Sequence, residues 1–227
     1  MEASACVGRG LSALAGVAGS RSTVVGGNTM SMDRMIIDEQ MPVYDVVVAE
    51  HLIVGADPMT TFTAARAMDF MTVRAPLMDA AMWVRGLPDR LRRRPAAPLT
   101  HLYLAQGVGL PGWLSLGERA GSEVAFGAVG KFWQPDIEWR DVPQADFAGF
   151  AEPGWGKIAC NLTFLPYGSG TLLTYECRTA TTDPASRRKF ARYWWLVRPF
   201  AAYIMRAALA KIAAEAKRTR VSLPVAA

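Results

Sequence analysis

The spacing of apolar positions changes character twice along the chain. Residues 43–54, VYDVVVAEHLIV, form an apolar and β-branched run with the length of one long strand. The sequence Gly55-Ala56-Asp57-Pro58 ends it, and Asp57 followed by Pro58 has the order of an N-cap and a first-turn proline. A short helix through Phe62, Ala65, Arg66 and Met68 is predicted next, then a second over residues 75–87, broken by Gly86 and Pro88. The basic, proline-bearing stretch 90–98 reads as a surface loop. From 99 to 182 the pattern becomes a series of strands, LTHLYLA, GWLSLGE, SEVAFGAVGKFW, IEWRDV, KIACNLTFLPY and TLLTYECRTAT, punctuated by Gly and Pro clusters. Asp183-Pro184 then opens a helix that runs to about residue 217, roughly 50 Å at about 1.5 Å per residue, with a bend expected near Pro199. Residues 1–40, rich in Gly, Ala, Ser and Val without lasting periodicity, predict a flexible leader, and 218–227 a flexible tail.

The last hairpin is the most informative local feature, because a two-residue loop at Gly168-Ser169 sets the pairing of every residue around it. Gly168 supplies the positive φ of a type II′ turn. Pairing then places Cys160 opposite Cys177, Leu162 opposite Tyr175 and Phe164 opposite Leu173, all on one face, since strand side chains alternate. The other face carries Asn161 with Glu176, Thr163 with Thr174 and Ala159 with Arg178. One side is expected apolar and the other wet; a slip of one residue would invert the partition.

The terminal helix answers the apolar face with Phe190, Tyr193, Trp194, Val197, Ala201, Ile204, Ala208 and Ile212, the spacing of one helical stripe. Arg188, Arg192 and Arg206 fall on the far side. The first half of the stripe is bulky and aromatic, the second small and Ala-rich. Such a helix cannot fill the concavity of a long curved sheet evenly, so a cavity is expected between them. Trp195 and Tyr203 fall outside the stripe, and a bend at Pro199 would be needed to turn them toward the core.

The predicted fold is α+β: a curved antiparallel sheet wrapped around a long C-terminal helix, with two short helices after the first strand. That order resembles the START-like or SRPBCC superfamily, the helix-grip fold that includes pollen-allergen-like proteins, polyketide cyclases and lipid-transfer domains. More narrowly, Glu118-Arg119-Ala120-Gly121 leading to Gly127-Ala128-Val129-Gly130-Lys131-Phe132-Trp133, with Thr182-Asp183, Arg188-Lys189-Phe190-Ala191-Arg192-Tyr193-Trp194 and Arg198-Pro199, looks like a bacterial branch of it. The resemblance spans about 43–217. It implies a shared cavity more than a shared chemistry.

Composition adds little to this picture except through charge. Apolar residues make up 51% of the chain and charged ones 20%, which places it among chains that fold around a core. The net charge of +5 is unevenly placed: residues 184–220 carry ten Lys or Arg against Glu215 alone, so that stretch is +9 and the remainder −4. A basic helix of this kind could meet anionic lipid or nucleic acid, but a solvated face is the commoner explanation. Within 190–212 the cations Arg192, Arg198, Arg206 and Lys211 argue against a transmembrane span. Cys6, Cys160 and Cys177 show neither metal spacing nor a secreted framework, and no secretory signal precedes them, so a cytoplasmic location is expected. The glycines of 127–130 lie in a strand pattern with no following helix, which disfavours a phosphate loop; neither nucleic acid nor nucleotide is an expected partner.

The residues expected to line the cavity are therefore Cys160, Leu162, Phe164, Leu173, Tyr175 and Cys177 from the hairpin, and Phe190, Tyr193, Trp194, Val197, Ala201 and Ile204 from the helix. The Tyr175 hydroxyl needs a partner inside, which could be a ligand, a neighbouring residue or water. Cys160 and Cys177 read as two buried thiols behaving as small hydrophobes, with a cross-strand disulfide or a reactive pair as the alternatives. His51 and His101 lack a Cys, Asp or Glu at ligand spacing, and Glu50, Glu123, Asp136 and Glu138 form no recognisable acid and base pair. No metal, cofactor or catalytic residue is expected. Binding of an apolar small molecule, a lipid, polyketide or sterol-like compound, is the leading expectation. A cyclase or dehydratase moving protons through Tyr175, Tyr193 or His51 is the second, and an interaction module using the basic helix, at a protein or a membrane surface, is the third.

Overall fold

The computed structural model describes residues 34–69 and 112–222. In chain order these form α1 (Ile36–Gln40), β1 (Val46–Val54), α2 (Pro58–Ala67), β2 (Trp113–Arg119), β3 (Glu123–Gly130), β4 (Trp139–Arg140), α3 (Gln144–Phe147), β5 (Gly156–Tyr167), β6 (Gly170–Thr181) and α4 (Pro184–Ser222). The strands make one antiparallel sheet in the order β1-β6-β5-β3-β2, with β4 on β3. The long terminal helix packs on β1 and β6 and against α2, giving the expected α+β, helix-grip arrangement. The second short helix expected over 75–87, the loop at 90–98, the strand at 99–105 and His101 lie outside the described residues, as does the leader through residue 33. The run IEWRDV is largely irregular, with only Trp139–Arg140 paired as a strand.

The hairpin register is the one expected from its loop. Cys160 pairs with Cys177, Leu162 with Tyr175 and Phe164 with Leu173, and Gly168 turns at φ +57°. Its apolar face meets α2 and the second half of α4 in one core that includes Phe62, Ala65, Leu162, Phe164, Leu173, Leu209 and Ile212. Phe62 meets Phe164 edge to face, with ring centres 5.4 Å apart.

The opposite face is not wet, and this corrects the expectation for the pairs Ala159–Arg178 and Asn161–Glu176. Ala159 and Asn161 are fully buried, Thr163 and Arg178 nearly so. A second core covers them, built from Ile36, Ile37 and Met41 around α1, Leu116 and Ala125 from the sheet, Phe147 from α3, and Trp155. The end of the expected leader is thus a packed helix. Polar side chains hold it at both ends. The buried Glu123 carboxylate accepts the backbone N–H of Ile36 at 2.7 Å and of Ile37 at 3.3 Å, and the Asn161 amide N–H at 2.7 Å. These amides have no partner within a helix, and an anion suits that end of its dipole. At the other end Arg178 donates to the carbonyl of Met41 at 3.1 Å and pairs with Asp38 at 2.7 Å. Packing is close enough in this half of the sheet that a Cβ on Gly127 would stand 2.7 Å from the Ile158 carbonyl oxygen and 3.0 Å from the Phe147 ring. The glycines of 127–130 serve strand packing.

Helix α4 starts where Asp183-Pro184 predicts. Asp183 accepts the N–H of Ala185 at 2.8 Å and of Ser186 at 2.9 Å, the Ser186 hydroxyl at 2.6 Å and the Gly154 N–H at 2.7 Å. These bonds, the Ser186 hydroxyl foremost, hold its carboxyl well below the usual carboxylate range. A depressed folded pKa contributes stability that is complete above the unfolded value of 3.8 and is lost as pH falls toward the folded one. Thermal melts of Asp183→Asn are therefore expected to fall less steeply than wild type as pH is lowered from about 5 to 2; identical slopes would overturn this assignment. The helix passes through Pro199, whose missing N–H leaves the Trp195 carbonyl without its intrahelical donor. It extends to Ser222, beyond the expected end near 217 and into the expected tail.

Candidate ligand cavity

The two halves of α4 meet the sheet differently. Its C-terminal half lies against the closed core: Ala208, Leu209, Ile212 and Ala216 are at most 1% exposed. Its N-terminal half stands over a space of about 230 Å³. Phe190, Tyr193, Trp194, Val197, Ala201 and Met205 form the helix side of that space, and Val48, Ile158, Cys177 and Thr179 form its floor on β1, β5 and β6. Trp113, Phe132, Ile137 and Trp139 close the far wall. The aromatic wall is a connected cluster, with Trp139 ring centres 6.2 Å from Trp113 and 5.9 Å from Phe132. On the helix side Phe190 stacks on Trp194 at 5.8 Å.

Of the residues expected at the cavity, Cys177, Phe190, Tyr193, Trp194, Val197 and Ala201 line it. Cys160, Leu162, Phe164 and Leu173 do not: they are buried to within 2% in the closed core. Ile204 is half-buried and does not line it either; Met205, one residue on, does. The stripe advances by four from Ala201, as a 3.6-residue period requires over several turns. The aromatic wall between 113 and 139 was missed. The signal that could have found it is the density of Trp and Phe there, in segments whose strand pattern is broken by Gly and Pro.

Tyr175 is half-buried in the core beside the cavity, its ring centre 6.2 Å from that of Phe126. Burial pushes its hydroxyl well above the ordinary phenol value, and the neighbouring Cys160 and Cys177 thiols push in the same direction. Cys160 and Cys177 are free thiols with their sulfurs 3.0 Å apart. Burial, then the hydrogen bond to Cys177, raises the Cys160 thiol well above its usual value, so it is held as neutral S–H. Cys160 thus packs in the closed core, while Cys177 lines the cavity.

The acid-base candidates are dispersed. His51 is exposed and its Nδ1 lies 2.9 Å from the Thr174 hydroxyl. Glu50 is bound by Arg206, Glu123 sits on the other face of the sheet, Glu138 pairs with Lys131 at 2.7 Å, and Asp136 is exposed. Among Tyr175, Tyr193 and His51, Tyr193 alone lines the cavity. Among the described residues no three His, Cys, Asp or Glu side chains gather in a group that could hold a metal. No described helix is long and apolar enough to cross a membrane. Trp195 remains outside, 83% exposed, with Leu196 at 62%, whereas Tyr203 is half-buried.

No family model matches this chain, and no curated protein matches it. Among solved structures it is similar to protein MLL2253 from Mesorhizobium loti, at 13% identity and a TM-score of 0.36 over 77% of this chain and 98% of that one. It is similar to protein CV1439 from Chromobacterium violaceum at 12% identity and a TM-score of 0.34, over 74% and 94% of the two chains. Ara h 8.0201 matches at 10% identity and a TM-score of 0.26, over 74% and 98%. Likeness of this degree says nothing of a ligand or a reaction, which rest on the cavity itself.

Proposed function

We propose that the protein binds an apolar small molecule in the cavity under the N-terminal half of α4. The observation that supports this is a space of about 230 Å³ walled mostly by aromatic and aliphatic side chains, with Thr179, Tyr193 and Cys177 as the lining residues that carry a polar group. A dry apolar cavity of about 150 Å³ holds one benzene ring, so this one suits a short acyl chain or a compact polycycle, the size of a lipid or polyketide fragment. Burying about 200 Å² of ligand at about 25 cal/mol/Å² yields roughly 5 kcal/mol before association costs, which sets an expected ceiling at a dissociation constant of about 0.2 mM.

Native mass spectrometry of the purified protein tests for a co-purified small molecule, and titration with 1-decanol, read by calorimetry, tests the site. Ala201 lines the cavity on the helix, and a phenyl group there fills the space without opening the closed core. Ala201→Phe is expected to weaken decanol binding at least tenfold while the protein stays folded. Unchanged affinity in that variant would place the ligand elsewhere and overturn the proposal.

A further inference from the structure

Beside the cavity, and sharing Val48 and Trp194 with it, a larger open groove of about 800 Å³ runs between strand β1 and helix α4. Its charge is not balanced. Glu50 is its lining carboxylate among the described residues, and Arg206 occupies both oxygens of that group at 2.8 and 2.9 Å. Arg198 also lines the groove, one helical turn from Trp194, and has no ion-pair partner among the described residues. The groove thus presents one uncommitted guanidinium one helical turn from Trp194, which also lines the apolar chamber. A guanidinium offers a planar fork of N–H donors that matches one carboxylate. With a single uncommitted cation, the groove suits a monoanion better than a doubly charged phosphate ester.

We infer that the ligand is a carboxylate-bearing amphiphile, of the class of a medium-chain fatty acid, with its chain in the cavity and its carboxylate on Arg198 in the groove. This rests on the cavity reading above and adds the ligand's class and orientation. Trp194 lines both compartments and would lie along the chain near its head. Arg206 is already committed to Glu50, so it acts as the groove's wall and not as the anion's partner.

Calorimetric titrations with decanoate and with 1-decanol, at equal ionic strength, test the inference on the full chain. Decanoate is expected to bind wild type about fivefold more tightly than decanol, the scale of an exposed, well-formed ion pair. Arg198→Gln should remove that preference and leave decanol binding unchanged, whereas Arg192→Gln, an equal change of charge on a helix position outside the groove, should preserve it. If acid and alcohol bind wild type equally, or if Arg192→Gln erases the preference as fully as Arg198→Gln, the head-group assignment falls and the cavity reading stands. If neither compound binds, both fall. Circular dichroism of each variant confirms that the comparison is between folded proteins.

Discussion

Replacing Arg178 by methionine is expected to destabilise the folded protein by about 3 kcal/mol, the scale of breaking a largely buried ion pair while its partners remain. The side chain is 9% exposed and serves several groups at once. Its Nε–H donates to Glu176 at 2.6 Å, one terminal nitrogen pairs with Asp38 at 2.7 Å, the other donates to the Met41 carbonyl at 3.1 Å, and its plane stands 4.8 Å from the Tyr44 ring centre. Methionine keeps much of the packing but leaves two carboxylates and a carbonyl without their donor. Asp38 is 36% exposed and regains water, so the estimate sits at the low end for such pairs. Arg178→Lys is expected to recover less than half of the loss, because a single ammonium cannot reach acceptors spread around the plane of a guanidinium fork. Urea unfolding measures both. A loss below about 0.5 kcal/mol for the methionine variant would mean that α1 is not held by this residue and that its helix is an accessory to the sheet.

That clamp also shows what sequence pattern can and cannot reveal. The hairpin of β5 and β6 was legible because its information is local: a two-residue loop with glycine at the positive-φ position leaves one register, and alternation does the rest. The start of α4 was legible for the same reason, since Asp183 caps with groups two and three residues away. Glu123, Asn161 and Arg178 were not. Polar residues at alternate strand positions read as a solvent face unless something covers them, and here the cover is a helix whose amides lie 86 and 87 residues from Glu123. Nothing in a window around 123, 161 or 178 encodes that return. The cavity falls between these cases. Its helix side followed from periodicity, whereas the wall of Trp113, Phe132, Ile137 and Trp139 comes from a bulged strand and an irregular connection with no period to read. The same locality explains why four hairpin residues expected at the ligand lie in solid core. The register said which way they point, but not that α2 and the Ala-rich half of α4 close over them.

Phe164 separates those two environments experimentally. It was expected to touch ligand and instead stands 1% exposed, edge to face with Phe62 and opposite Leu173. Truncating a phenylalanine in a closed core costs both its transfer free energy and the void left behind, so Phe164→Ala is expected to destabilise by about 3–5 kcal/mol. That is a large share of the roughly 5–15 kcal/mol available to a folded domain, so the milder Phe164→Leu, expected to cost about 1.5 kcal/mol, keeps the comparison usable. In the leucine variant, decanol affinity should stay within twofold of wild type, because the cavity lies under the other half of α4. Trp194→Ala should show the reverse: it removes the wall common to the cavity and the groove while leaving the closed core intact, so ligand affinity drops by an order of magnitude and stability changes by less than that of Phe164→Ala. If Phe164→Leu instead weakens or retunes binding at little cost in stability, the occupied space extends into what packs here as core, and the helix grips its ligand along its whole length.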